Sequence, residues 1–116
     1  MSRIFISFSK DFDIALKLQK SLEMKGFDIW IYLEDIPPTV DWLEEIYQGI
    51  EKSDIFLFLI SPDSIISDTC QKEINHAVLN GKRIIPLVVR KVNFKIVRKE
   101  IARFKLFLSK PKMDLI

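Results

Sequence analysis

One residue in this 116-residue chain combines a reactive type with a suggestive setting: Glu73. It falls in residues 68–80, where the apolar residues Cys70, Ile74, Ala77 and Val78 recur at helical spacing. At roughly 100° per residue, Glu73 is expected on the flank of that stripe, neither in the core nor in solvent. A carboxylate there is partly desolvated in the second turn of a helix, the setting in which proton affinities shift and catalytic roles arise. An ordinary boundary glutamate, stabilised near the helix N-terminus by the backbone dipole, fits the same position, and position alone favours that plainer reading. Other chemistries fail on residue type. A single histidine and a single cysteine cannot by themselves make a zinc site, so no metal is expected. Cys70 lies on the apolar stripe and reads as packing, whereas His76 faces away from it and reads as a solvated surface residue.

The elements that must position Glu73 alternate between strand and helix. Arg3–Phe8 predicts a first strand, residues 12–25 a helix stopped by Gly26, and Phe27–Leu33 a second strand. The prolines at 37 and 38 impose a loop over Glu34–Asp41. A helix from about Trp42 to Lys52 follows, with Asp41 or Thr39 as its cap and Trp42, Ile46 and Ile50 on one face. Ile55–Ile60 is continuously apolar, as in a parallel strand covered on both faces. The helix over 68–80 carries Asp68 and Gln71 as a capping pair and Gly81 as its stop. Ile84–Val89 predicts a fourth strand whose Pro86 suits an edge or a bulge. Ile96–Arg103 and Phe104–Leu108 read as a short helix and a last strand. The expected fold is α/β, an open parallel sheet with helices on both faces. In such sheets ligands bind beyond the carboxyl ends of the strands, which directs attention to Ser7–Asp11, Glu34–Trp42, Ser61–Asp68 and Arg90. No glycine stands in the first turn, Phe8-Ser9-Lys10-Asp11, so neither a dinucleotide fingerprint nor a phosphate loop is present. Ser61 occupies the place where a phosphoaccepting receiver would need an aspartate.

Length and composition bound the rest. The chain suits one domain, and its apolar runs at 55–60 and 84–89 fall far below the ~20 residues of a membrane span. One cysteine allows no internal disulfide, and the N-terminus lacks a signal-peptide layout, so a cytoplasmic location is expected. The net charge of +2 divides unevenly: residues 90–116 carry +7 and the remainder −5. No aromatic-stacking or groove-reading motif accompanies the basic residues, so nucleic acid is not the expected partner and a solvated face is.

Taken in order, several strings resemble one family: Ile4-Phe5-Ile6-Ser7-Phe8-Ser9, Gly26-Phe27-Asp28-Ile29-Trp30, Glu34-Asp35-Ile36-Pro37-Pro38, Asp41-Trp42, Phe58 to Ser64, Cys70-Gln71-Lys72-Glu73, and Gly81 to Leu87. Their order and spacing are similar to those of TIR domains of the bacterial type, the family shared with Toll and interleukin-1 receptors and plant resistance proteins. The resemblance is strongest over residues 3–89. It implies a single domain over 1–116 with a flavodoxin-like fold of five parallel strands. The family usually continues with one more helix after the fifth strand, and this chain stops at Asp114-Leu115-Ile116, so that helix is expected to be truncated or missing.

The resemblance also implies a function. Many members cleave NAD+ at the nicotinamide–ribose bond with a glutamate on the third helix, and Glu73 stands at that position in a C-x-x-E pattern. Phe8, Ser9 and Trp42 match positions that line the substrate pocket, and NAD+ would be the substrate, with no cofactor. Residues Glu34, Asp35, Ile36, Pro37, Pro38, Thr39, Val40 and Asp41 match the loop that mediates homotypic association. The implied protein is a self-associating NAD+ nucleosidase of bacterial defence or toxin-like signalling, working with a fused or partner sensor domain and no membrane. The alternative is a catalytically silent TIR interaction scaffold. It is supported by Thr69, where many active relatives have tryptophan, and by Thr39, where a loop glycine is common.

Overall fold

The computed structural model describes residues 2–31 and 40–92, the side chains of residues 40–42 excepted. Within them the order is β1 (Arg3–Ser7), α1 (Phe12–Met24), β2 (Asp28–Ile31), α2 (Val40–Glu51), β3 (Ile55–Ile60), α3 (Asp68–Leu79) and β4 (Arg83–Val88). The strands form one parallel sheet in the order β2-β1-β3-β4. This is the expected flavodoxin-like α/β architecture, with four strands among the described residues. The fifth strand expected at 104–108, and the short helix before it, lie outside them, as does most of the 34–41 loop.

Each strand's alternation sends its side chains to two separate cores. Ile4, Ile6, Leu57 and Leu59 pack with Phe8 and Ala15 on the α1 side. Phe5, Phe56, Phe58 and Ile60 pack with Ile46 and Ile50 of α2 and with Cys70, Ile74 and Ala77 of α3 on the other. Phe5 and Phe56, register partners on β1 and β3, stack with ring centroids 5.6 Å apart on that second face. Both faces of β1 and β3 are therefore covered, which is why their sequences are almost continuously apolar. β4 has more exposed positions and, among the described residues, pairs only with β3; its Pro86, which has no N–H to donate, sits opposite Phe58.

The two glycine stops work as expected. Gly26 donates to Glu23 O and Phe27 to Leu22 O after α1; Gly81 donates to Val78 O and Lys82 to Ala77 O after α3. Both are Schellman closures, with φ +93° at Gly26 and +65° at Gly81. Two helix starts differ from expectation. α2 begins at Val40, not near Trp42, so Asp41 lies within its first turn and is not its cap; Thr39, the other expected cap, lies outside the described residues. The cap of α3 is Ser67, whose hydroxyl accepts from the Cys70 N–H at 3.2 Å, rather than Asp68. Asp68 is the first helical residue, one position too late to reach the amide that needs an acceptor.

Because a Cβ at Gly26 would meet no atom within 4 Å, Gly26→Ala tests backbone conformation alone. It should keep the native circular dichroism spectrum and lower unfolding free energy by about 1–2 kcal/mol in urea titration.

Candidate active site

The carboxyl ends of the strands collect a set of buried polar groups. Ser7, Ser9, Asp11, Ser61, Ser64 and Glu73 are all buried, although each is a residue type usually found in solvent. The chain order runs outward from β1 to β2 and returns to β3 on the other side of β1, so the switch point where such sheets take ligands lies between β1 and β3. The loops that follow those two strands supply Ser9, Asp11, Ser61 and Ser64, β1 itself supplies Ser7, and α3 supplies Glu73.

Glu73 is more deeply placed than the helical periodicity suggests. The buried positions of α3 are Cys70, Glu73, Ile74 and Ala77, an i, i+3, i+4, i+7 stripe, while Val78, expected within it, is exposed. The carboxylate therefore occupies a core position and is only 5% exposed. The reason is on β1: Ser7 follows Phe5 on the face turned to α3, and its hydroxyl donates to Glu73 Oε1 at 2.8 Å. A buried carboxylate needs such donors to remain in the interior. Ser7 was not among the expected pocket residues, although it opens the strand-end region Ser7–Asp11 and is a polar side chain in an otherwise apolar strand.

Around this pair the backbone is tied closely. Cys70 is buried, as expected, and its Sγ lies 3.6 Å from the Phe8 carbonyl oxygen, joining α3 to the end of β1. Ser61 and Ser64 bond reciprocally: the Ser61 N–H donates to Ser64 Oγ at 2.9 Å and the Ser64 N–H to Ser61 Oγ at 3.1 Å. That double closure holds the β3–α3 turn in one shape. His76, one turn beyond Glu73, is not the solvated residue expected. Its ring stacks on Tyr47 at 4.2 Å, and Nε2 is hydrogen-bonded to Glu51 Oε2 at 2.7 Å. The face of α3 opposite Val78 is covered by α2, a contact that the periodicity of a single helix cannot reveal.

The other expected pocket residues are distributed differently. The Phe8 ring belongs to the α1-side core and packs near Phe12, so strand alternation places it on the opposite face of the sheet from Ser7 and Glu73. Ser9 is buried in the β1–α1 turn. Trp42 is the third residue of α2, and its side chain lies outside the described set, as do residues Glu34–Thr39 of the association loop. Beyond Ser9, Asp11 and Arg90 pair through Oδ1 and Nε, and Lys10 approaches Asp63 at 3.9 Å. No cluster of metal-ligating side chains occurs among the described residues, and none of their helices is long and apolar enough to cross a membrane. An open cleft lined by Arg3, Glu23, Asp28, Lys52 and Asp54 lies at the other end of the sheet, where no ligand is expected in this architecture.

This geometry is accompanied by a family match: a TIR domain model covers residues 4–112, and the chain belongs to that family. No curated protein matches its sequence significantly. Two of the solved structures that share the fold are the following. The TIR domain of the Toll-related receptor TRR-2 from Hydra magnipapillata superposes with a TM-score of 0.67 at 19% identity, over 93% of this chain and 97% of that one. The CMP N-glycosidase BcmB of Clostridium botulinum superposes with a TM-score of 0.70 at 21% identity, over 98% and 87%.

Removing the hydroxyl of Ser7 withdraws a donor from a buried carboxylate. Ser7→Ala should lower unfolding free energy by about 1.5–3 kcal/mol, measured by urea titration near neutral pH.

Proposed function

We propose that this TIR domain is an NAD+ nucleosidase, cleaving the bond between nicotinamide and ribose with Glu73 as its catalytic carboxylate. The observation that carries the reading is the buried Ser7–Glu73 pair at the carboxyl end of a parallel sheet in a chain of this family. A fold neighbour that is itself named an N-glycosidase supports the reaction class.

The chemistry demands little of the protein. Nicotinamide bound to ribose is cationic and leaves as a neutral molecule, so no general acid is required. Positive charge develops on the ribose in an oxocarbenium-like transition state, which a fixed carboxylate stabilises. The Ser7 hydroxyl, bonded to Oε1, limits rotation of the Glu73 carboxylate, so the charge is oriented before substrate arrives. Low exposure strengthens the interaction, because little water competes for the charge. Activity is expected to depend on self-association through the 34–41 loop, so the assay belongs at high protein concentration or on artificially clustered protein.

The second reading, a silent interaction scaffold, draws on Thr69 and on the burial of Glu73, since a carboxylate held in the core can serve packing alone. The two readings separate in one assay. Clustered wild type should release nicotinamide from NAD+, and Glu73→Gln, with an unchanged melting temperature, should be slower by about 100-fold or more. Full activity in Glu73→Gln removes that residue from the mechanism, and an inert clustered wild type selects the scaffold.

A further inference from the structure

Asp11 stands at the N-cap of α1, where an aspartate ordinarily accepts a backbone N–H of the first helical turn. It makes no such bond. Its carboxylate is turned instead to Arg90, and the pair joins the β1–α1 turn to the segment after β4. The Arg90 backbone is itself held at the end of β3, with the amides of Val89 and Arg90 both directed to the Ile60 carbonyl. The guanidinium thus reaches from β4 past the end of β3 to β1, over the switch point of the sheet.

The two partners are very unequal in environment. The Asp11 side chain is 1% exposed and the Arg90 side chain 61%. Arg90 uses Nε for Asp11, and among the described residues its two terminal nitrogens have no partner. On the inner side, Asp11 Oδ2 is buried and also without a partner among the described residues. A clasp that served stability alone would gain from a two-pronged Arg–carboxylate pairing, the geometry both groups favour. Here the single-pronged contact leaves the outer edge of the guanidinium, with four N–H donors, turned to solvent beside the candidate site. Asp11 offsets part of the positive charge, but it does so from the buried side. A guanidinium anchored at Nε has already lost much of its rotamer freedom, so capture of an anion costs less ordering. Lys10 adds a second, exposed cation at the same edge.

From this we infer that Arg90, positioned by Asp11, is a phosphate-binding residue that takes the diphosphate of a nucleotide substrate. The inference rests on the proposed nucleosidase for where substrate lies, but phosphate binding can be measured without any cleavage. Arg90 is then a substrate-binding group and Asp11 a positioning residue that acts through it.

The test uses the full chain and two probes. In calorimetry with inorganic pyrophosphate, Arg90→Gln should weaken binding by about tenfold or more, and Arg90→Lys, which keeps the charge without the fork, should fall between it and wild type. In the unmodified protein, the Arg90 Nε–H resonance should move during the same titration, a readout that needs no variant to fold. In kinetics, Arg90→Gln should raise KM about tenfold for NAD+ at unchanged kcat, and leave nicotinamide riboside, which carries no phosphate, unaffected. Unchanged pyrophosphate affinity in Arg90→Gln with a stationary Arg90 resonance, or an equal rise in KM for both substrates, overturns the assignment. A wild type that cleaves neither substrate defeats the nucleosidase reading, and the pyrophosphate result then decides the phosphate site by itself.

Discussion

β1 has a hydrogen-bonded neighbour on each side and a helical layer on each face, and this double enclosure governs the rest of the molecule. From Ile4 to Ser7 a strand so placed sends no side chain to solvent. Ile4 and Ile6 are committed to the α1 side, and Phe5 and Ser7 to the side of α2 and α3. A hydroxyl at Ser7 is therefore a polar group in a core, and it needs a partner from the helix packed above it. Glu73 is that partner, 66 residues later in the chain. The carboxylate in turn depends on Ser7, because a charge at a core position of α3 is tolerable only with donors aimed at it.

The same enclosure explains why polar groups gather at one end of the sheet. Towards the carboxyl ends the strands leave their neighbours, and the turns that follow must satisfy their own backbone groups. Ser61 and Ser64 do this for the β3–α3 turn and Ser67 for the start of α3, each with a short side chain that reaches a local amide. Asp11 is the exception, since it gives up its local amide for a distant guanidinium. The helix that carries Glu73 is fixed on either side of that residue. Cys70 contacts Phe8 at the end of β1, and His76 meets Tyr47 and Glu51 of α2, the helix whose first two residues, Val40 and Asp41, were expected in the association loop. Glu73, Lys10 and Arg90 thus lie towards the same end of the sheet, and the proposed cleavage of a nucleotide rests on that arrangement.

Much of this was legible in the sequence. The apolar runs located four strands to within a few residues, because fully covered parallel strands admit almost no polar side chain. Gly26 and Gly81 marked the helix ends, since the left-handed conformation there strongly favours glycine. The order of motifs identified the family, and Glu73 stood out by its place in a short pattern. Of the regions expected to hold function, Ser7 to Asp11 and Ser61 to Asp68 contain most of the buried polar groups among the described residues, with Ser53 and Glu73 outside them. Arg90 is exposed but pairs with Asp11, and most of Glu34 to Trp42 lies outside the described residues.

What the sequence determined was local structure: periodicity, turn chemistry and residue type act over a few positions and can be read along one line. What only the tertiary structure decided was which polar residues face one another. Whether Glu73 belongs to the flank or the core of α3 depends on Ser7 in a different strand. Whether His76 meets water depends on α2, and whether Asp11 caps its helix depends on Arg90. Each pairing joins residues at least 25 positions apart, brought together by burial of apolar surface that is indifferent to their identity. The hydrophobic pattern builds the scaffold in a way that sequence alone displays; the polar contacts that turn it into a site exist only after the scaffold has closed.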